Sequence, residues 1–335
     1  MKFAVVGAGS IGGYLGAKLA LAGEDVTFIA RGATLAAIRA KGFTLVNEDG
    51  GTQVASTAKA AAIDEPGTYD VILLALKAHQ VAAVAKELPA LFGPETIVVT
   101  LQNGIPWWFC HKLGGAYEGR QITTADPDGS IAANIPFERI IGAVVYPASE
   151  IVSPGVVRVI EGNRFTLGEL DGAKTDRVRI LSEVLTKAGF KSPVSTDIRG
   201  EIFLKLWGNV VFNPVSALTH ATLEDIARFP QTRALAETIM TETRAVAEKL
   251  GVRIRISIDK RIAGAAEIGA HKTSMLQDVE AGRELELSAI VGGVVEMARL
   301  TETPTPALEA VYACTSLLAK TLADANGRLA VQPRP

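Results

Sequence analysis

The first part of the chain alternates short continuous apolar runs with stretches in which apolar residues recur at helical spacing, and the last part keeps only the helical spacing. Phe3-Ala4-Val5-Val6 is a run of the kind a buried parallel strand shows, and Gly7-Ala8-Gly9-Ser10-Ile11-Gly12 follows at once. Tyr14, Leu15, Ala17, Leu19 and Leu21 then carry a helical pattern to Gly23, a C-terminal stop. Further strands are predicted over 25–30, 70–76, 96–101, 140–146, 156–160 and 164–168, with a polar helix running after Arg31 through Leu35, Ile38 and Lys41 to Gly42 and helices over 81–91 and 175–188. Residues 43–46 and 53–55 flank Asn47-Glu48-Asp49-Gly50-Gly51, a hairpin signal expected to decorate the sheet. From Asp197 onward the alternation stops, and helices are predicted over 198–213, 222–228 and 231–250, as a pair across 259–300, and over 306–324.

Strand, glycine turn and helix at the start form the context in which G-x-G-x-x-G binds a dinucleotide. Gly7 lets the chain reverse, Gly9 lets the backbone approach a pyrophosphate, and Gly12 lets helix and strand pack closely, while free N–H groups at the helix start face the anion. The second strand ends in Ala30-Arg31-Gly32, with no carboxylate for a ribose 2′-hydroxyl and a cation suited to a 2′-phosphate, so NADP is expected. Ligands of such sheets lie beyond the carboxyl ends of the strands, where Lys77, Gln80 and Gln102-Asn103-Gly104 fall. The fold class is therefore α/β: an N-terminal Rossmann-type dinucleotide-binding domain over residues 1–195, a helical domain over 196–326 and a tail from 327 to 335. Between residues 105 and 140 a long excursion carries Trp107, Trp108 and Phe109, which either wall a pocket or pack the core.

Composition narrows the function. At 335 residues, 48% hydrophobic and 21% charged, the chain is long enough for two globular domains, and its formal charge of -2 gives no basic field for nucleic acid. No apolar run has the length of a membrane span or the form of a signal peptide. Cys110 and Cys314, without a C-x-x-C or His/Cys cluster, indicate neither a disulfide framework nor a metal site, and fit a cytoplasmic protein.

The helical half holds a second informative stretch. In Phe203-Leu204-Lys205-Leu206-Trp207-Gly208-Asn209-Val210-Val211-Phe212-Asn213-Pro214, Lys205, Asn209 and Asn213 recur at four-residue steps on one face, with the proline expected to end the helix. A lysine in so apolar a setting needs a partner or a task, and a structural pairing with a carboxylate is the alternative to catalysis. Ser274 with Gln277 reads as a capping box, and Glu286 as a carboxylate at the start of the apolar stretch 287–297.

These motifs together resemble the ketopantoate reductase (2-dehydropantoate 2-reductase) family: G-A-G-S-I-G, A-L-K-A-H-Q, L-Q-N-G, K-L-W-G-N-V-V-F-N-P, S-M-L-Q-D and G-R-E-L-E, in this order along nearly the whole chain. The resemblance implies NADPH-dependent reduction of 2-dehydropantoate to (R)-pantoate in pantothenate and coenzyme A biosynthesis. It also implies a helical domain similar to that of 6-phosphogluconate dehydrogenase, a site in the cleft between the domains and a homodimer. By position it implies that Lys205 donates the proton and Glu286 is the active-site glutamate. Asn103, Asn209, Asn213 and Ser274 would hold substrate. Gly7, Ala8, Gly9, Ser10, Ile11, Gly12, Arg31, Lys77, Gln80, Asn103, Ala148 and Glu286 would meet the cofactor. The sequence departs from the family after L-Q-N-G, where Pro106-Trp107-Trp108 and the excursion intervene, and at Ser288 and Val291, where acidic and asparagine residues are common. A bulkier 2-keto acid is therefore the first alternative substrate, and a non-catalytic NADP-binding redox sensor the alternative from another class.

Overall fold

The computed structural model describes residues 1–65 and 67–327. The chain forms two compact units that divide at Glu201/Ile202, six residues beyond the boundary expected from the sequence. The part of the expected tail from residue 328 onward lies outside the described residues.

The first unit runs β1 (Lys2–Val6), α1 (Ser10–Leu21), β2 (Asp25–Ile29), α2 (Gly32–Lys41), β3 (Phe43–Val46), β4 (Thr52–Ala55), β5 (Lys59–Ala61), β6 (Tyr69–Leu74) and a single turn α3 (Ala78–Val81). It continues through β7 (Phe92–Thr100), α4 (Ser130–Asn134), β8 (Ile140–Val145), β9 (Ala148–Ser153), β10 (Val156–Glu161), β11 (Phe165–Gly168) and α5 (Asp176–Lys187). Seven strands form one sheet in the order β11-β8-β7-β6-β1-β2-β5, parallel except for β11. Read from β5 to β8 this is the doubly wound order of a dinucleotide-binding sheet, with its switch point between β1 and β6.

The predicted hairpin β3–β4 forms, but it does not extend that sheet. It joins β10 and β9 in a second, four-stranded sheet of order β4-β3-β10-β9, and β9 carries no strand signal because its exposed positions break the apolar run. The second sheet packs on α1: a Cβ at Gly13 would lie 2.8 Å from Val157 and still closer to the Phe43 ring, which stacks on Phe28 at 4.6 Å. The predicted helix 81–91 is also revised. It starts earlier, where Gln80 Oε1 accepts the Lys77 N–H at 3.3 Å, and continues as two 3-10 turns, because Pro89 has no N–H for an α-helical bond.

The aromatic excursion is core. Trp107, Trp108, Phe109 and Cys110 are buried, and Trp108 Nε1 donates to Thr100 Oγ1 at 3.0 Å. Arg199 fixes the same segment by donating to the Phe109, His111 and Leu170 carbonyls. The tryptophans therefore fill the first unit's interior rather than wall a pocket, and large apolar area gained on burial explains why they sit there.

From Ile202 onward all regular structure among the described residues is helical. The elements are α6 (Ile198–Thr219), whose first turn lies before the division, then α7 (Leu223–Arg228), α8 (Pro230–Lys249) and α9 (Ile258–Glu267). They continue through α10 (Ser274–Glu280), a π turn over Ser288–Gly292 running into α11 (Gly293–Leu300), and α12 (Pro306–Asp324). The pair expected across 259–300 is thus three helices, separated by turns at Gly269 (φ 82°) and Gly282 (φ 63°). Pro214 does not end α6. It removes one backbone bond, but Val215 and Ala217 are buried, and that packing carries the helix on to Thr219.

One buried charge pair locks β11 to α5. Glu169 accepts from Arg177 Nε at 2.7 Å and Nη2 at 2.6 Å, and from the Thr175 hydroxyl at 2.5 Å; Thr175 in turn caps α5. This pairing holds the Arg177 pKa above its usual value. Glu169 is buried and Arg177 about one-third exposed, so Glu169→Ala is expected to lower stability by between the ~1 kcal/mol of an exposed pair and the ~3–5 kcal/mol of a buried one, read by urea unfolding.

Candidate active site

In the first unit the carboxyl ends of four neighbouring strands lie together. Gly7 N–H donates to the Ile29 carbonyl at 3.3 Å, Ala75 N–H to Val6 at 2.8 Å, and Leu101 N–H to Leu74 at 3.2 Å. Gln102 Nε2 ties the last two together through the Leu74 and Leu76 carbonyls at 2.7 and 3.1 Å. Gly7 has φ 103°, and a Cβ on it would lie 2.9 Å from the Ala75 backbone. A Cβ on Gly12 would lie 2.9 Å from the Ala75 side chain and closer still to the Gly7 carbonyl. Gly9, the N-cap of α1, faces open space instead, with nothing within 4 Å of a Cβ built there. Two glycines are required by the fold and one leaves room for a ligand, which is the division of labour a pyrophosphate site needs.

The neighbouring residues fit that ligand. Ser10 and Ile11 open α1 and are partly exposed together with Ala8, so the α1 amino terminus is accessible to an anion. Arg31 is exposed at the tip of β2 and is the N-cap of α2, and its guanidinium pairs with no carboxylate among the described residues. Lys77 and Gln80 lie just beyond β6, where Gln80 also caps α3, and Asn103 follows β7 in a partly buried loop. Ala148 opens β9 of the second sheet, three residues past the carboxyl end of β8, and is partly exposed.

In the helical unit α6 carries the polar stripe Lys205, Asn209 and Asn213 on an otherwise apolar body. Trp207 is fully buried and anchors α6 by donating Nε1 to the Met240 carbonyl of α8 at 2.6 Å, with the Arg244 guanidinium over its ring at 4.9 Å. Lys205 keeps limited accessible surface, yet the packing around it is dense: desolvation lowers its pKa to about 8, opposed by the attraction of Glu286. Asn213 is 5% exposed and Asn209 partly exposed; neither amide bonds to another described residue, so both are available to a ligand.

Glu286 and Lys205 are eighty-one residues apart in sequence, and a clamp brings the glutamate into place. Arg283 Nε donates to the buried Asp278 of α10 at 2.8 Å, and its N–H donates to the Asp278 carbonyl at 2.8 Å. The turn so fixed delivers Glu286 to the start of the π turn, where its carbonyl accepts from Ile290 at 3.3 Å. Ser274 is exposed in the first turn of α10, and the cap is Thr273, whose side chain accepts from Leu276. The capping-box reading of Ser274 is therefore replaced, and its hydroxyl is left for another use. Sequence reading missed the Arg283 clamp, and it missed Gly208, a glycine inside a helix of the kind that marks a close approach. The Arg261 guanidinium of α9 lies there, its Cζ 2.7 Å from where a Gly208 Cβ would be.

A doubly wound nucleotide-binding unit followed by a helical unit with a desolvated lysine defines a nicotinamide-nucleotide-dependent oxidoreductase. The chain belongs to the ketopantoate reductase family: the model of the PanE/ApbA family matches residues 3–172, and that of the family's C-terminal domain matches residues 197–319. It is 50% identical to the 2-dehydropantoate 2-reductase of Mesorhizobium japonicum, over 95% of this chain and 98% of that one. A candidate ketopantoate reductase from Ralstonia solanacearum MolK2 superposes with a TM-score of 0.91 at 38% identity, covering 96% of this chain and 98% of that one. The 2-dehydropantoate 2-reductase of Methylococcus capsulatus gives 0.81 at 27% identity, with coverage of 96% and 98%.

The glycine geometry separates fold from ligand. Gly9→Ala should leave thermal unfolding unchanged while NADPH affinity, measured by fluorescence titration, falls. Gly12→Ala should lower both.

Proposed function

We propose that this protein reduces 2-dehydropantoate to (R)-pantoate with NADPH, the reductive step toward pantothenate and coenzyme A. The observation that carries this reading is Lys205, an ammonium in dense packing whose charge is sustained by Glu286 and whose helix face presents two unpaired asparagine amides. With the tryptophans of the excursion buried in the first unit, the argument for a bulkier substrate loses its main support.

NADPH would be held by the Gly7–Gly12 turn and Arg31, with Lys77, Gln80, Asn103 and Ala148 assigned alongside, and it supplies the hydride. Arg31 would pair with the 2′-phosphate, since no carboxylate ends β2. Lys205 polarises the 2-keto oxygen as negative charge grows there, then gives it a proton. Glu286 keeps the lysine charged against desolvation and holds its position. Asn103, Asn209, Asn213 and the Ser274 hydroxyl fix the substrate's oxygens, so that orientation is settled before reaction. We place the reaction in the cytoplasm, in keeping with Cys110 and Cys314, which form no disulfide among the described residues; no helix of the described residues is long and apolar enough to cross a membrane.

Steady-state oxidation of NADPH with ketopantoate tests the reading. Lys205→Ala should lower kcat by about 10²- to 10⁴-fold, as loss of a general acid does, while NADPH affinity stays; undiminished turnover would remove Lys205 from its role. The Lys205 pKa of about 8 lies below the free-lysine value, so the proton is present at neutral pH and lost as pH rises through it: kcat/KM should fall above about pH 8. Glu286→Gln removes the one influence that raises this pKa, so the alkaline limb should move to lower pH. Arg31→Ala should weaken NADPH much more than NADH, measured by fluorescence titration with each.

A further inference from the structure

One side chain at the carboxyl ends of the first unit's sheet takes no part in the chemistry assigned so far. Gln102, between β7 and Asn103, reaches across to the end of β6, where its Nε2 donates to the Leu74 carbonyl at 2.7 Å and the Leu76 carbonyl at 3.1 Å. Its Oε1 is buried and has no hydrogen-bond partner among the described residues. An unmet buried acceptor costs stability that an apolar side chain in the same place would not cost. The Leu74 carbonyl does not need the amide either, since it already accepts the Leu101 N–H at 3.2 Å. What Gln102 adds is a hold on the Leu76 carbonyl, in the middle of the turn Ala75-Leu76-Lys77. A local cost without a matching local gain is the mark of a functional position.

That turn is gripped from both sides. On one side the Ala75 N–H donates to the Val6 carbonyl at 2.8 Å, and a Cβ on Gly7 would lie 2.9 Å from both the Ala75 carbonyl carbon and the Leu76 nitrogen, so the glycine turn closes directly on it. On the other side stands Gln102, with Asn103 next in the chain. At the exit Gln80 Oε1 accepts the Lys77 N–H at 3.3 Å and opens α3. The switch point of the sheet falls between β1 and β6, and a dinucleotide lies across such a point with one nucleotide on each side. Arg31, at the end of β2, marks the adenosine side; the ends of β6 and β7, with Lys77 and Asn103, lie on the nicotinamide side. Gln102 joins the two strand ends of that side.

Resting on the NADPH reading above, we propose that Gln102 is a positioning residue for the nicotinamide half of the cofactor. It locks the Ala75–Lys77 turn between the glycine turn and the Asn103 loop, so that Lys77 and Asn103 stand at a fixed offset from the pyrophosphate. The amide acts through the Leu76 carbonyl rather than on the ligand. A hydride donor held at that offset meets the keto carbon in reactive geometry, and small displacements of such a group cost rate.

The test compares NADPH with adenosine 2′,5′-bisphosphate, the phosphorylated adenosine half alone, by isothermal titration calorimetry on the intact chain. Gln102→Met keeps the length of the side chain but removes both donated bonds. It should weaken NADPH by about 10-fold, the equivalent of one hydrogen bond, while the bisphosphate binds as tightly as to the wild type. At saturating NADPH, kcat with ketopantoate should fall by about 10- to 100-fold. Gln102→Asn, one methylene shorter, cannot span both carbonyls and should show the same split to a smaller degree; it also serves if Gln102→Met does not fold. A side chain that merely supports the sheet would lower both affinities together. Equal losses for the two ligands, undiminished affinity for both, or undiminished kcat would overturn the role of Gln102. Failure of the wild-type chain to bind NADPH would instead overturn the nucleotide reading, and failure to oxidise it with ketopantoate the substrate reading, with the affinity split still deciding on Gln102.

Discussion

An ammonium inside dense protein packing is the constraint from which the rest of the helical unit follows. Water would hold Lys205 charged at no cost; here desolvation pulls its pKa down to about 8 and only the attraction of Glu286 opposes it. The sign has a structural consequence. Because the folded-state pKa lies below that of a free lysine, the charged side chain opposes folding at neutral pH, and this opposition is relieved as pH rises from about 8 toward ~10.4. A fold keeps such a group only when surrounding packing fixes it, and α6 is fixed by Trp207 and its bond to Met240. The glutamate is fixed in turn by the Arg283–Asp278 clamp and the π turn that follows it. π turns occur frequently at functional sites, and this one begins two residues after the carboxylate that the lysine depends on.

The other half of the chemistry depends on atoms that are missing. At Gly12, Gly13 and Gly16 a Cβ would collide with the Gly7 carbonyl or the Ala75, Phe43 and Phe28 side chains, so α1 lies tight on both sheets. Gly9 alone in that segment opens outward. The same device recurs in the helical unit, where Gly208 admits Arg261.

Much of this was legible in the sequence, and the reasons for the failures are physical. Apolar runs of fully buried parallel strands made β1, β2, β6, β7 and β8 readable, because both faces of such strands are covered. The four-residue spacing of Lys205, Asn209 and Asn213 was readable because a helix turns polar residues at that spacing onto one face. Short exposed strands such as β5 and β9 carry no such pattern, and their pairing is decided by neighbours distant in sequence. Pro214 and the excursion at Trp107 misled for a shared reason: local propensity marked a stop and a pocket wall, and tertiary packing overrode both. The meeting of Lys205 with Glu286 was not readable at all without the resemblance to a family, since nothing local joins segments so far apart.

The central claim is that Lys205 is a charged but poorly hydrated amine whose proton is held near neutrality. It is tested most directly by following the side-chain resonance of Lys205 in the isotopically labelled protein by NMR as pH is raised, assigned by its loss in Lys205→Met. The account predicts a midpoint near 8. A midpoint near the ~10.4 of a free, hydrated lysine would contradict it.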